Sequence, residues 1–206
     1  MNRKTKPQPN DDTGASTVRI IGGRLRGRKL PGSDDSRTRP MKDRVREAVF
    51  NWIGPSLVGS YAVDLFSGTG VVGFEAISRG AARATLVERH FPTADQIRRN
   101  ATALGIADRV EVVGGDAFVW VKRLPDVPDL RWTVLCCPPY SLYEERPDDF
   151  RQLVDRLWHQ LPEESVLMME ADERLDFTTL PQAEHWQVRH YQPSYIGRLR
   201  ITREIG

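Results

Sequence analysis

Only two cysteines occur in this chain of 206 residues, and they are neighbours, Cys136 and Cys137. Adjacent strand residues point to opposite faces, so no disulfide is expected between them. Without a disulfide framework the chain fits a reducing, cytoplasmic setting. No apolar run approaches the roughly 20 residues of a membrane span. The first residues are polar, without an apolar stretch, so no secretory signal is expected. Histidine is scarce, and His90, His159, His185 and His190 lack metal-ligand spacing, so no metal site is expected. There is no internal repeat. These absences exclude a membrane span, a disulfide scaffold, a zinc module and a repeat array.

The net charge of +2 hides an asymmetry. Residues 1–46 carry 13 Lys and Arg against 5 Asp and Glu, whereas residues 47–206 carry 17 against 23. A basic arm on a mildly acidic body points to a polyanionic partner such as nucleic acid, although basic tails are often merely solvated. Residues 1–17 are polar and without periodicity, which predicts a disordered tail. Residues 18–206 then form one domain, with 18–46 as its basic arm.

Val18 to Leu30 holds two short segments around Gly22-Gly23, read as a β-hairpin with arginines on one face. Asp43–Ile53 has helical spacing of Val45, Ala48, Val49, Trp52 and Ile53, with Lys42, Arg44 and Arg46 at its start. Strands and helices then alternate. Strands are predicted at Tyr61–Phe66, Ala84–Glu88, Val110–Val113, Trp132–Cys136 and Val166–Glu170. Helices are predicted at Val71–Arg79, Pro92–Leu104, Ala117–Leu124 and Asp148–Leu161. Trp186–Tyr191 and Leu199–Glu204 read as two antiparallel strands. Such alternation with short loops predicts a doubly wound, Rossmann-like α/β sheet.

Gly68, Gly70 and Gly73 follow the first strand of that sheet, where such folds bind ligands beside a helix N-terminus. The same spacing, with Glu88 following 20 residues after Gly68, also fits a dinucleotide fingerprint, so an NAD reading competes. Asp64 favours S-adenosylmethionine (SAM): a carboxylate at that strand end repels a pyrophosphate but suits an ammonium and a sulfonium. Glu88 can accept both ribose hydroxyls, and Asp116 the adenine amino group. Farther on, Cys137-Pro138-Pro139-Tyr140 forms a stiff turn. The prolines remove two N–H donors and leave carbonyls to meet an amine, and Tyr140 offers a ring for base stacking.

On these residues the chain resembles the bacterial small-subunit ribosomal RNA guanine-N2 methyltransferases of the RsmD type, which act at guanine 966 of 16S rRNA. The resemblance spans about residues 18–205. It is most specific at Arg19-Ile-Ile-Gly-Gly, Arg26-Gly-Arg-Lys-Leu30, Arg39-Pro40, Asp43-Arg-Val-Arg-Glu47, Phe50-Asn51 and Asp64–Gly70. It implies a seven-stranded SAM-dependent methyltransferase sheet with an N-terminal RNA-binding hairpin. Asp64, Phe66, Gly68, Gly70, Glu88 and Asp116 would hold SAM. Cys137, Pro138, Pro139 and Tyr140 would form the catalytic turn, and Arg19, Arg24, Arg26, Arg28, Lys29, Arg39 and Arg44 would meet RNA. The partner would be 16S rRNA, within an assembling small subunit, and the enzyme a cytoplasmic monomer.

Two positions depart from the family pattern. Met41 replaces a usual Thr, and Cys137 stands where the family usually has Asp. A thiol is a weak acceptor for the guanine amine, so the Pro138 carbonyl would carry that role at a reduced rate, or a carboxylate from Glu144 or Glu145 would reach in. A covalent role for Cys137 is disfavoured by the order Cys-Pro. The alternatives are another RNA or DNA amino-methyltransferase, or a catalytically weak RNA-binding protein that retains a SAM pocket.

Overall fold

The structure is a computed structural model describing residues 17–32, 41–125 and 130–203. Residues 1–16 of the expected tail, and Arg39, lie outside these. Seven strands form the main sheet: β3 (Tyr61–Asp64), β4 (Arg83–Glu88), β5 (Val110–Gly114), β6 (Trp132–Cys136), β7 (Val166–Ala171), β8 (Gln187–Tyr191) and β9 (Ser194–Arg200). Their order is β5-β4-β3-β6-β7-β9-β8. The pairs from β5 through β7 are parallel, and β9 alone runs against its neighbours β7 and β8.

Alternation along the central strands sends side chains into two cores. Ala62, Leu86, Leu135 and Met168 face α1 (Asp43–Ile53), α2 (Val71–Ser78) and α3 (Phe91–Ala103). Val63, Val87, Val134 and Leu167 face α4 (Ala117–Val121), α5 (Leu142–Glu145) and α6 (Pro147–Gln160). Each helix turns an apolar stripe inward. In α6 this stripe is Phe150, Leu153, Val154 and Leu157, and Pro147 starts the helix where no N–H is needed. The doubly wound expectation is borne out.

Two expectations need correction. The last strand, expected at Leu199–Glu204, spans Ser194–Arg200, and Glu204 lies outside the described residues. Gly197 hides it. A Cβ there would come within 2.1 Å of the Phe177 ring, so packing requires a glycine in mid-strand. The N-terminal hairpin exists, but its strands are β1 (Thr17–Arg19) and β2 (Lys29–Pro31), with Val18 opposite Leu30. Gly22-Gly23 is not its tip. It begins a 3-10 turn docked on the end of α2, where the Leu25 N–H donates to Ser78 Oγ (2.9 Å) and Ser78 Oγ donates to the Gly22 carbonyl (2.6 Å). Ile20 and Leu30 enter the first core beside α1.

Candidate active site

One cavity of about 390 Å³ opens at the C-terminal ends of the parallel strands, within the range usual for small-molecule sites. Its first half lies over the glycine turn. Gly70 adopts φ +78° at the N-terminus of α2, and a Cβ there would touch Phe74 at 2.9 Å. Glu88, ending β4, reaches across to this turn: Oε2 accepts the Gly68 N–H (2.8 Å) and Oε1 the His90 N–H (2.8 Å). Phe66 lies in the same wall, edge-on to Phe118 at 5.7 Å. Asp116 caps α4, its Oδ1 accepting the Phe118 and Val119 N–H groups, while Oδ2 accepts Arg146 Nη1 at 2.7 Å. Burial pushes the Asp116 carboxyl up, but the Arg146 and backbone bonds outweigh it and hold the carboxyl below the usual range.

Asp64 is placed differently from the expectation. It and Gly70 do not line the cavity. The Asp64 side chain lies buried beneath the turn, with Oδ2 accepting the Gly73 N–H at 3.0 Å and Oδ1 accepting no hydrogen bond among the described residues. Burial pushes its carboxyl up to about 7, against the Gly73 bond.

The second half of the cavity is walled by Cys137, Pro138, Pro139, Tyr140, Glu170 and Ser194. Tyr140 is pinned through its hydroxyl, which donates to Glu170 Oε1 (3.0 Å) and lies 2.9 Å from Ser194 Oγ. Ser194 Oγ also donates to Glu170 Oε1 at 3.1 Å. Burial, then the charges of Glu170 and Asp64, push the Cys137 thiol well above its ordinary range, so it stays protonated. Glu144 and Glu145 are exposed, and neither lines the cavity; Glu144 pairs with Arg174 at 3.2 Å. Sequence reasoning misses Glu170 and Arg146. Glu170 reads only as a strand end, and Arg146 only as a loop residue before a helix.

The basic residues separate into two groups. Arg19 and Arg44 lie by the start of α1, near the cavity-lining Lys42, with Arg19 paired to Asp43 at 2.7 Å. Arg24, Arg26 and Arg28 lie toward the far ends of α2 and α3, where Arg28 Nη2 donates to the Ala103 carbonyl at 3.1 Å. Arg46 is not a surface cation at all, being 1% exposed.

The wall suits SAM. Glu88 presents acceptors for a ribose diol, and Phe66 and Phe118 give an aromatic side. The sheet order differs from the all-parallel dinucleotide fold by the antiparallel β9 inserted between β7 and β8. Fold and cavity define a SAM-dependent methyltransferase. The chain belongs to the family described as "Conserved hypothetical protein 95", whose sequence model matches residues 18–196. It is similar to "Ribosomal RNA small subunit methyltransferase D" of Escherichia coli (strain K12), 36% identical over 176 residues and 84% of each chain. The "Putative rRNA methyltransferase YlbH" of Bacillus subtilis (strain 168) is 31% identical over 91% of this chain and 92% of its own. Among solved structures, the "Putative methyltransferase yhhF from Escherichia coli" matches with TM-score 0.73 and 30% identity over 91% of this chain and 100% of that one. The expected RsmD-type family is borne out.

Proposed function

We propose that this protein transfers the methyl group of SAM to the exocyclic N2 amine of a guanine in small-subunit ribosomal RNA, at the position equivalent to guanine 966 of 16S rRNA. The observation that carries this reading is the single cavity that joins the Gly68–Glu88–Asp116 wall to the Pro138-Pro139-Tyr140 turn. SAM supplies an electrophilic methyl group. The chain supplies position and orientation, the main source of rate in such a displacement. The guanine amine is a poor nucleophile because its lone pair is delocalised into the ring. The Pro138 carbonyl, which accepts no hydrogen bond among the described residues, accepts one amine N–H and turns the lone pair toward the methyl. The Tyr140 ring, held by Glu170 and Ser194, stacks the base.

A protonated, half-buried Cys137 thiol argues against a covalent route through a thiolate. It also favours one second reading, a catalytically weak RNA binder that keeps the SAM pocket. The substrate is an assembling small subunit, the enzyme works as a monomer, and it works in the cytoplasm; among the described residues no helix is long and apolar enough to cross a membrane. The test is nucleoside analysis after incubation with labelled SAM and unmodified small subunits. N2-methylguanosine at one site supports the reading; methyl on adenine or cytosine, or none, overturns it.

A further inference from the structure

Glu170 lies outside the motifs that carry the family resemblance, yet it stands in the wall of the base slot. The β6–β7 pairing puts Cys136 opposite Met169, so the next residues, Cys137 and Glu170, emerge side by side at the cavity floor. The side chain is fixed at one oxygen only. Oε1 accepts Tyr140 Oη and Ser194 Oγ, whereas Oε2 accepts no hydrogen bond among the described residues. Tyr143 Oη, donating to the Glu170 carbonyl at 2.7 Å, secures the backbone as well. A carboxylate held this way, in a slot with a stacking ring on one side, is built to receive a flat edge with adjacent N–H donors.

We propose that Glu170 receives the Watson–Crick edge of the target guanine, accepting its N1–H and one N2–H, and so supplies the carboxylate that position 137 lacks. The assignment rests on the proposed guanine substrate. Guanine presents two neighbouring donors on that edge. Adenine presents a donor beside an acceptor, and its N1 lone pair would face the carboxylate. Glu170 therefore selects guanine as well as orienting it. The second N2–H goes to the Pro138 carbonyl. As the N2–C bond forms and the C–S bond breaks, sulfur keeps the bonding electron pair and N2 sheds one proton, which Glu170 takes and passes to solvent. Burial holds the Glu170 carboxyl above the usual range against its bonds from Tyr140 and Ser194, which suits a group that takes a proton.

The test compares wild type, Glu170→Gln and the double variant Cys137→Asp with Glu170→Gln. The readouts are single-turnover transfer to unmodified small subunits, product nucleoside and SAM affinity by calorimetry. Glutamine keeps an oxygen for Tyr140 and Ser194 but turns an amide N–H toward the base edge. Transfer should fall about 100-fold, the scale of one aimed group at a reacting centre, with SAM affinity within about twofold, well under 1 kcal/mol. Returning a carboxylate at position 137 should recover at least about tenfold, or 1.4 kcal/mol. Full activity in Glu170→Gln, a matching loss of SAM affinity, or no recovery in the double variant would each overturn the Glu170 assignment alone. A wild type that makes no N2-methylguanosine would overturn the guanine reading and this assignment with it.

Discussion

Arg46 Nε lies 3.8 Å from Glu75 Oε2, and neither side chain reaches solvent. Arg46 Nη2 also donates to the Arg19 carbonyl (2.6 Å) and Asp43 Oδ1 (2.9 Å), while Glu75 accepts the Ile21 N–H (2.8 Å) and Arg79 Nε (2.6 Å). This knot ties the hairpin to α1 and α2. Arg46→Met strips the Arg19 carbonyl and Asp43 Oδ1 of their donor and leaves Glu75 with Arg79 as its one cation, so it should cost about 3 kcal/mol, the low end for breaking a buried pair. Urea unfolding checks this. A midpoint unchanged from wild type would mean that the pair carries no such role.

Gly23 makes the hairpin dock. Its φ is +71°, and a Cβ would lie 2.0 Å from the Ser78 carbonyl oxygen. Gly23→Ala should lift the turn from α2, at a cost above the roughly 1–2 kcal/mol of the left-handed backbone itself. Hydrogen exchange should quicken at Ile21 and Leu25, whose amides bond Glu75 and Ser78, while exchange in β3 and β6 stays slow.

Arg24, Arg26 and Lys29 are exposed and form no ion pair among the described residues. If they meet phosphates, replacing all three with Ala should reduce the slope of log affinity against log salt for RNA by about 0.7–0.9 per lost contact. SAM affinity should not change, since they sit away from the cavity. Titrations of a small-subunit RNA fragment at several salt concentrations give the slope. An unaltered slope would remove these residues from the RNA surface.

The parts of the site that a single stretch of chain encodes are legible in the sequence. Strand ends, the glycine turn and the Pro-Pro turn each declare themselves within a few residues. What stays hidden depends on neighbours far away along the chain. Arg46 reads as one more cation of a basic arm, because only the packing of α1 on α2 reveals that it points at Glu75. Glu170 is silent until β6 and β7 are in register. Gly197 looks like a strand breaker until Phe177 is seen lying on it. Asp64 reads as a cavity residue, since the sequence cannot show its side chain turning under the glycines toward Gly73.

The buried Asp64 carboxyl makes a pH prediction. Its pKa is raised from 3.8 to about 7 in the folded protein, so between these values the native state holds a proton that the unfolded chain gives up. Stability must therefore fall as pH rises through this window and level off above it, by up to about 4 kcal/mol at 1.36 kcal/mol per unit. Asp64→Asn should remove this part of the slope. Parallel stability curves for the two proteins would contradict the assignment.

Cys137 separates the remaining readings. With Glu170 and the Pro138 carbonyl beside the amine, the thiol is a minor acceptor. Loss of such a weak bond, about 0.5 kcal/mol, makes Cys137→Ala slower by only about twofold. Cys137→Asp should keep or raise the transfer rate, because a carboxylate accepts more strongly than a thiol. It should also move the rising limb of the pH–rate curve upward, since two adjacent carboxylates resist ionising together. Tyr140, Tyr143, Cys136 and Asp64, the other titrating groups around this point, are common to both proteins. A covalent cysteine predicts that Ala and Asp both abolish turnover and that methyl appears on a cytosine carbon. A mere binder predicts no transfer from wild type or Ala. Single-turnover transfer with the three proteins on the same unmodified subunits decides among these, and an active wild type beside a dead Cys137→Asp variant would refute the minor role of the thiol.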